Sequence, residues 1–266
     1  MSDTDSRDWR ARVIAGVSRW LRQETRPLGM PRNDFERLCE QLRPADVVLV
    51  EGRTRISGII QSVTLSSWTH AGLYVGRLDD LAAGEAVARL RDAGVPGDMP
   101  VLLEAEIGRG VHLSPITRYA REHLRLCRAR ELSVRDAQTV VAFALARLGA
   151  PYNLRQIGDL LRFFFPYGLL PRRWRSSLFE AGHGDMARTI CSTLIARAFA
   201  RVRYPILPEM HRGPHGEVVL HRRNARLVTP RDFDHSPYFE IVKYPFFGDD
   251  VARYRELSWA DDRPVP

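Results

Sequence analysis

The sequence predicts an α+β fold: a small, mostly antiparallel sheet with an amphipathic helix packed against it. Three observations carry this. Ala71, Leu73 and Val75 alternate with His70, Gly72 and Tyr74, so this strand is apolar on both faces and belongs in the middle of a sheet. Val47–Val50 and Val101–Ala105 are short apolar runs of strand length. From Cys191 the apolar residues Leu194, Ile195, Ala198, Phe199 and Val202 recur at helical spacing and define one buried face. A chain of 266 residues with 44% hydrophobic content can bury a sizeable core, which suits one domain with extensions.

Taken in order, residues 8–24 read as an amphipathic helix, with Trp9, Val13, Val17, Trp20 and Leu21 on one side and arginines mostly elsewhere. Arg26-Pro27-Leu28-Gly29 ends it. A second helix is expected with Asn33 as its cap and Glu36 three residues on. The Asp46 strand follows, then a loop over Gly52–Ser62, then the His70 strand. Residues 78–100 read as an insertion with a short helix, Glu85–Arg91, stopped by Gly94 and Pro96. Ser133 and Asp136 open a further helix with a capping-box pattern, and Gly149 closes it. Pro205–Pro214 reads as a connection, and Val218–Leu220 with Ala225–Val228 as a hairpin. The expected organisation is an N-terminal helical extension over 1–42, a main domain over 43–248 and a polar tail over 249–266.

The formal net charge is +8, from 40 basic and 32 acidic residues. Lys243 is the only lysine. The arginines are dispersed, with no aromatic-interleaved basic patch, so no nucleic-acid partner is expected. The acidic start Ser2–Asp5 is not followed by an apolar signal region, and no run of 18 apolar residues occurs. Three scattered cysteines, Cys39, Cys127 and Cys191, do not make a disulfide framework. These features predict a cytoplasmic protein. No CxxC, HExxH or phosphate-loop pattern is present, so neither a metal nor a cofactor is expected.

Two residues stand out chemically. Cys191 falls in the first turn of its helix, where unpaired N–H groups and the positive end of the dipole favour a thiolate. A free cysteine on an apolar face also suits a core position. His70 enters its strand from a Ser/Thr-rich stretch and should be partly wet. A thiol and an imidazole need only be adjacent in the fold to perform acyl chemistry. In Val101–Glu106, alternation puts Glu104 and Glu106 on one face, where a carboxylate could orient the imidazole.

Together the motifs resemble the circularly permuted papain-like cysteine hydrolases, the permuted branch of the NlpC-type superfamily that also holds lecithin:retinol acyltransferase-like enzymes. The resemblance rests on Ala45-Asp46 before an apolar strand, His70–Gly76, Leu103-Glu104-Ala105, Gly149-Ala150-Pro151-Tyr152 and Cys191-Ser192-Thr193-Leu194, in that order. Histidine precedes cysteine, which is the permuted order. Ala45 stands where the family usually has glycine. The resemblance implies a permuted papain-like fold and a Cys191–His70–Glu104 triad working through an acyl-enzyme, with an amide as substrate. Glu106 and His112 are alternatives to Glu104, since acyltransferase-like relatives use a second histidine.

Between Tyr152 and Cys191 lies an individual segment containing Phe163, Phe164, Phe165 and Trp174 among arginines. It suits a peripheral membrane contact or an acyl-chain pocket, and also a Phe run packed into the core with solvated arginines. Peptide or lipid-acyl substrates are therefore both expected partners, the latter for a lipid thioesterase or acyltransferase working at a membrane surface. A non-catalytic lipid-binding module is a third reading.

Overall fold

The computed structural model describes residues 33–106, 109–150, 190–213 and 215–243, with 16, 23 and 24. Most of the 8–24 helix, the Pro151-Tyr152 turn, Phe163, Phe164, Phe165, Trp174 and the tail lie outside these residues.

Short apolar strands build one six-stranded antiparallel sheet: β1 (Val47–Glu51), β2 (His70–Arg77), β3 (Pro100–Glu106), β4 (Gly110–Pro115), β5 (His123–Ala129) and β8 (Phe239–Val242). Their spatial order is β4-β3-β2-β1-β5-β8, so β1 and β2 are central. The sheet is apolar on both sides because both faces are covered. On one face Val47, Leu49, Ala71, Leu73, Val75 and Leu103 join a core with α4 (Val134–Leu145) and α5 (Ile190–Arg201). On the other, Val48, Val50, Tyr74, Leu102 and Leu126 pack with Leu38 of α1 (Phe35–Gln41). The alternation of Val47 to Val50 between two cores follows from the two-residue period of a strand. Phe199 of α5 is fully buried and meets Phe239 of β8 edge-on at 5.3 Å, fastening that helix to the sheet.

Several local expectations are corrected. Asp34, not Asn33, caps α1 by accepting the Arg37 N–H at 3.1 Å. Asn33 instead turns inward and accepts the Leu124 N–H at 2.9 Å, a long-range bond that outcompetes local capping. The stretch expected as a loop contains α2 (Arg55–Thr64), capped by Thr54, which accepts the Ser57 N–H. Ile56, Ile59, Ile60 and Val63 already show its helical period. Val218–His221 (β7) pairs with Glu209–Arg212 (β6), whereas Ala225–Leu227 forms a single 3-10 turn. The helix in the insertion, α3, runs Glu85–Asp92. A last short helix, α6 (Pro230–His235), precedes β8.

Ala45 has φ +73, the left-handed conformation that glycine adopts without strain. It is buried at the turn into β1, with its N–H donated to Tyr74 O at 3.0 Å. A cavity of about 480 Å³ lined by Arg43, Asp46, Arg128 and Glu131 lies at this end of β1. His70 pairs with Val50 at the opposite end. Among the described residues no helix is long and apolar enough to cross a membrane.

Candidate active site

His70 is the first residue of β2, and the backbone around it is firmly tied. Thr69 donates its N–H to Val50 O at 3.0 Å, while its hydroxyl accepts the Gly52 N–H at 3.0 Å. One strand over, Glu104 of β3 is almost completely buried. Its Oε1 lies 2.8 Å from His70 Nε2. Gly72, on the same face of β2, lets Leu102 pack close beside this pair: a Cβ there would lie 3.1 Å from Leu102 Cδ1, while Glu104 Oε1, at 3.5 Å, would be in ordinary contact.

Cys191 is the second residue of α5 and is buried. That helix packs against β2 and β3, which brings the thiol to His70 across more than a hundred residues of sequence. Burial alone would disfavour the His70 cation. The charge of Cys191 and its hydrogen bond to the ring, followed by the hydrogen bond and charge of Glu104, outweigh this and hold the His70 pKa well above 6.5. Since Nε2 faces Glu104, Nδ1 is the ring nitrogen left for the thiol.

The carboxylate is held as an anion. Burial would raise its pKa. Hydrogen bonding and charge from His70, then hydrogen bonds from Tyr119 and Ser114, lower it from 4.5 to about 2. Tyr119 donates its hydroxyl to the same Oε1 at 2.7 Å. Burial, then the Glu104 charge, push the phenol's own pKa up, so it remains a donor. Glu104 Oε2 has no hydrogen-bond partner. Arg118 Nη1 lies 3.7 Å from it and His112 Nε2 3.8 Å.

The structure thus brings Cys191, His70 and Glu104 together. His112, paired across from Glu104 on β4, approaches the far carboxylate oxygen, not His70. Glu106 is engaged by Arg118, with Nη2 2.8 Å from Oε1. Sequence reasoning missed Tyr119. Tyr119 sits in a 3-10 turn, Ile116–Tyr119, whose approach to β3 leaves no local signature. His70, Glu104 and Glu106 offer ligand atoms within 4.8 Å of one another and are the described residues that could share a cation. Such an ion would compete with the His70–Glu104 bond and with Arg118, which already neutralises Glu106.

Residues 41–160 match the family described as permuted papain-like amidase enzyme, YaeF/YiiX, C92 family. Over that stretch, a little under half of the chain, it is similar to the permuted papain-like amidases. The matched stretch includes His70 and Glu104 and ends before Cys191. A solved structure, the metalloprotein yiiX from Escherichia coli O157:H7, is 16% identical over 77% of this chain and 98% of that one, with a TM-score of 0.45. No curated protein matches. In the chain itself the strand bearing histidine comes first, and the helix bearing cysteine packs against it later in the sequence.

Proposed function

We propose that this chain is a permuted papain-like, cysteine-dependent amidase acting on a peptide or isopeptide bond. The observation that carries the reading is the His70 ring, bonded to buried Glu104 on one side and to Cys191 on the other. Transfer of the Cys191 proton to His70 Nδ1 gives a thiolate and an imidazolium, the latter stabilised by Glu104. The sulfur attacks the carbonyl carbon, forming a C–S bond and an oxyanion. The Cys191 N–H, in the first described turn of α5, can receive that charge. The C–N bond breaks as the imidazolium protonates the leaving amine. Water, deprotonated by His70, then attacks the thioester, and the C–S bond breaks to release a carboxylate and restore the thiol.

The test is a panel of peptide, isopeptide and simple amide substrates, with intact-mass detection of the acyl-enzyme. Wild type should turn over one class and form an adduct on Cys191. Cys191→Ala should abolish both while keeping the wild-type circular dichroism. Undiminished turnover by Cys191→Ala would overturn the assignment.

A further inference from the structure

His70 and Cys191 belong to elements distant in sequence, so something must set their separation. We infer that the segment Val228–Ser236 does this, with Asp234 and Trp68 as positioning residues. The inference rests on the cysteine–histidine reading above.

On the histidine side, Trp68 lies two residues before His70 and is buried. A buried indole N–H requires an acceptor. It finds Asp234 Oδ2 of α6, at 2.9 Å and 166 positions away. The acceptor is a carboxylate, which makes the bond shorter and stronger than a neutral one. Arg125 of β5 binds the other oxygen of Asp234 and stacks its guanidinium 4.8 Å from the Trp68 ring centroid. Trp68 is thereby held by its edge and its face.

On the cysteine side, Ser192 follows Cys191 directly and is fully buried. Its hydroxyl donates to Val228 O at 2.6 Å. Both tethers enter the same short stretch, and that stretch is stiff. The Thr229 N–H donates to Asp232 Oδ2 at 2.7 Å, the Thr229 hydroxyl reaches the same oxygen at 3.1 Å, and Phe233 is completely buried. Arg231 Nη1 adds a bond to Thr64 O at the end of α2, 3.1 Å away. One rigid piece therefore grips the residue after the thiol and the indole two residues before the imidazole. A misplacement of about 1 Å can cost about 100-fold in rate, so slack in either tether should reach the chemistry.

The experiment compares the full chain with Trp68→Phe, Asp234→Asn and the double variant. Trp68→Phe keeps a ring for Arg125 and loses only the N–H donor and some area. The readout is iodoacetamide labelling of Cys191 between pH 5 and 9, located by peptide mass mapping, with Cys39 as internal reference and Tm measured alongside. Each single variant should slow Cys191 labelling roughly tenfold and displace its pH profile, leaving Cys39 unchanged. The double variant should fall short of the sum of the singles, because Trp68→Phe removes, and Asp234→Asn weakens by removing its charge, the same Trp68–Asp234 bond. Wild-type rate and profile in Trp68→Phe would overturn the inference, even if Asp234→Asn failed to fold. Fully additive singles would also overturn it. If wild-type Cys191 reacts no faster than Cys39, and His70→Ala changes nothing, the cysteine–histidine reading itself fails. That result is distinct from a reactive thiol indifferent to Trp68.

Discussion

Glu104→Gln isolates the charge of the buried carboxylate while keeping its shape. The native environment lowers the Glu104 pKa from 4.5 to about 2, so the folded protein binds that proton roughly 300-fold more weakly than the unfolded chain. Glutamine mimics the protonated form, and the variant should lose about 3 kcal/mol of stability at neutral pH. The sign follows from linkage. A depressed carboxylate contributes its full stability above pH 4.5 and loses it as pH falls through about 2. The gap between wild type and Glu104→Gln should therefore be complete at pH 7, about half as large at pH 3, and near zero below pH 2. Urea unfolding at pH 7 and pH 3 measures it. The same change removes a group that raises the His70 pKa. A raised histidine contributes stability that is present below 6.5 and is lost as pH rises through its folded value. Glu104→Gln should thus also move the alkaline limb of Cys191 labelling to lower pH. Equal stability at pH 7 together with an unmoved alkaline limb would refute Glu104 as the charged partner of His70.

Tyr119→Phe removes the second donor to Glu104 Oε1 and should cost about 1–3 kcal/mol by urea unfolding at pH 7, with a smaller loss at pH 3. Ala45→Gly relieves left-handed strain but surrenders a buried methyl and gains chain entropy, so its stability should stay within about 1 kcal/mol of wild type. Ala45→Val, branched at φ +73, should lose on the order of 2 kcal/mol or more in the same assay. Arg128 bonds Asp46 through Nε at 3.0 Å and Nη2 at 2.8 Å. Arg128→Met strands a buried carboxylate and should lower stability by about 3–5 kcal/mol, read as a fall in the urea midpoint.

The sheet was legible because its strands carry their own period. Val47–Val50 and His70–Gly76 are apolar on both faces, which suits central strands, and β1 and β2 lie in the middle of the sheet; their register is decided by the fold. The Cys191 helix was legible because Leu194, Ile195, Ala198 and Phe199 repeat at helical spacing, and all four are buried. The hairpin partner of β7 was not legible. β6 is short and exposed and carries no alternation strong enough to mark it. Asn33 misled because one side chain can serve either a local cap or a distant backbone group, and only the fold shows which is nearer.

The sequence by itself determined the strand and helix that bear His70 and Cys191, the acidic strand beside them, and the order in which they occur. Periodicity and turn chemistry act over a few residues, and these features are local. Tertiary structure alone decided that Glu104, rather than Glu106 or His112, faces the His70 ring. It also decided that Tyr119 shares that oxygen and that Asp234 meets Trp68. Those contacts join segments between 15 and 166 positions apart, and their distances are set by how the strands pair and the helices pack.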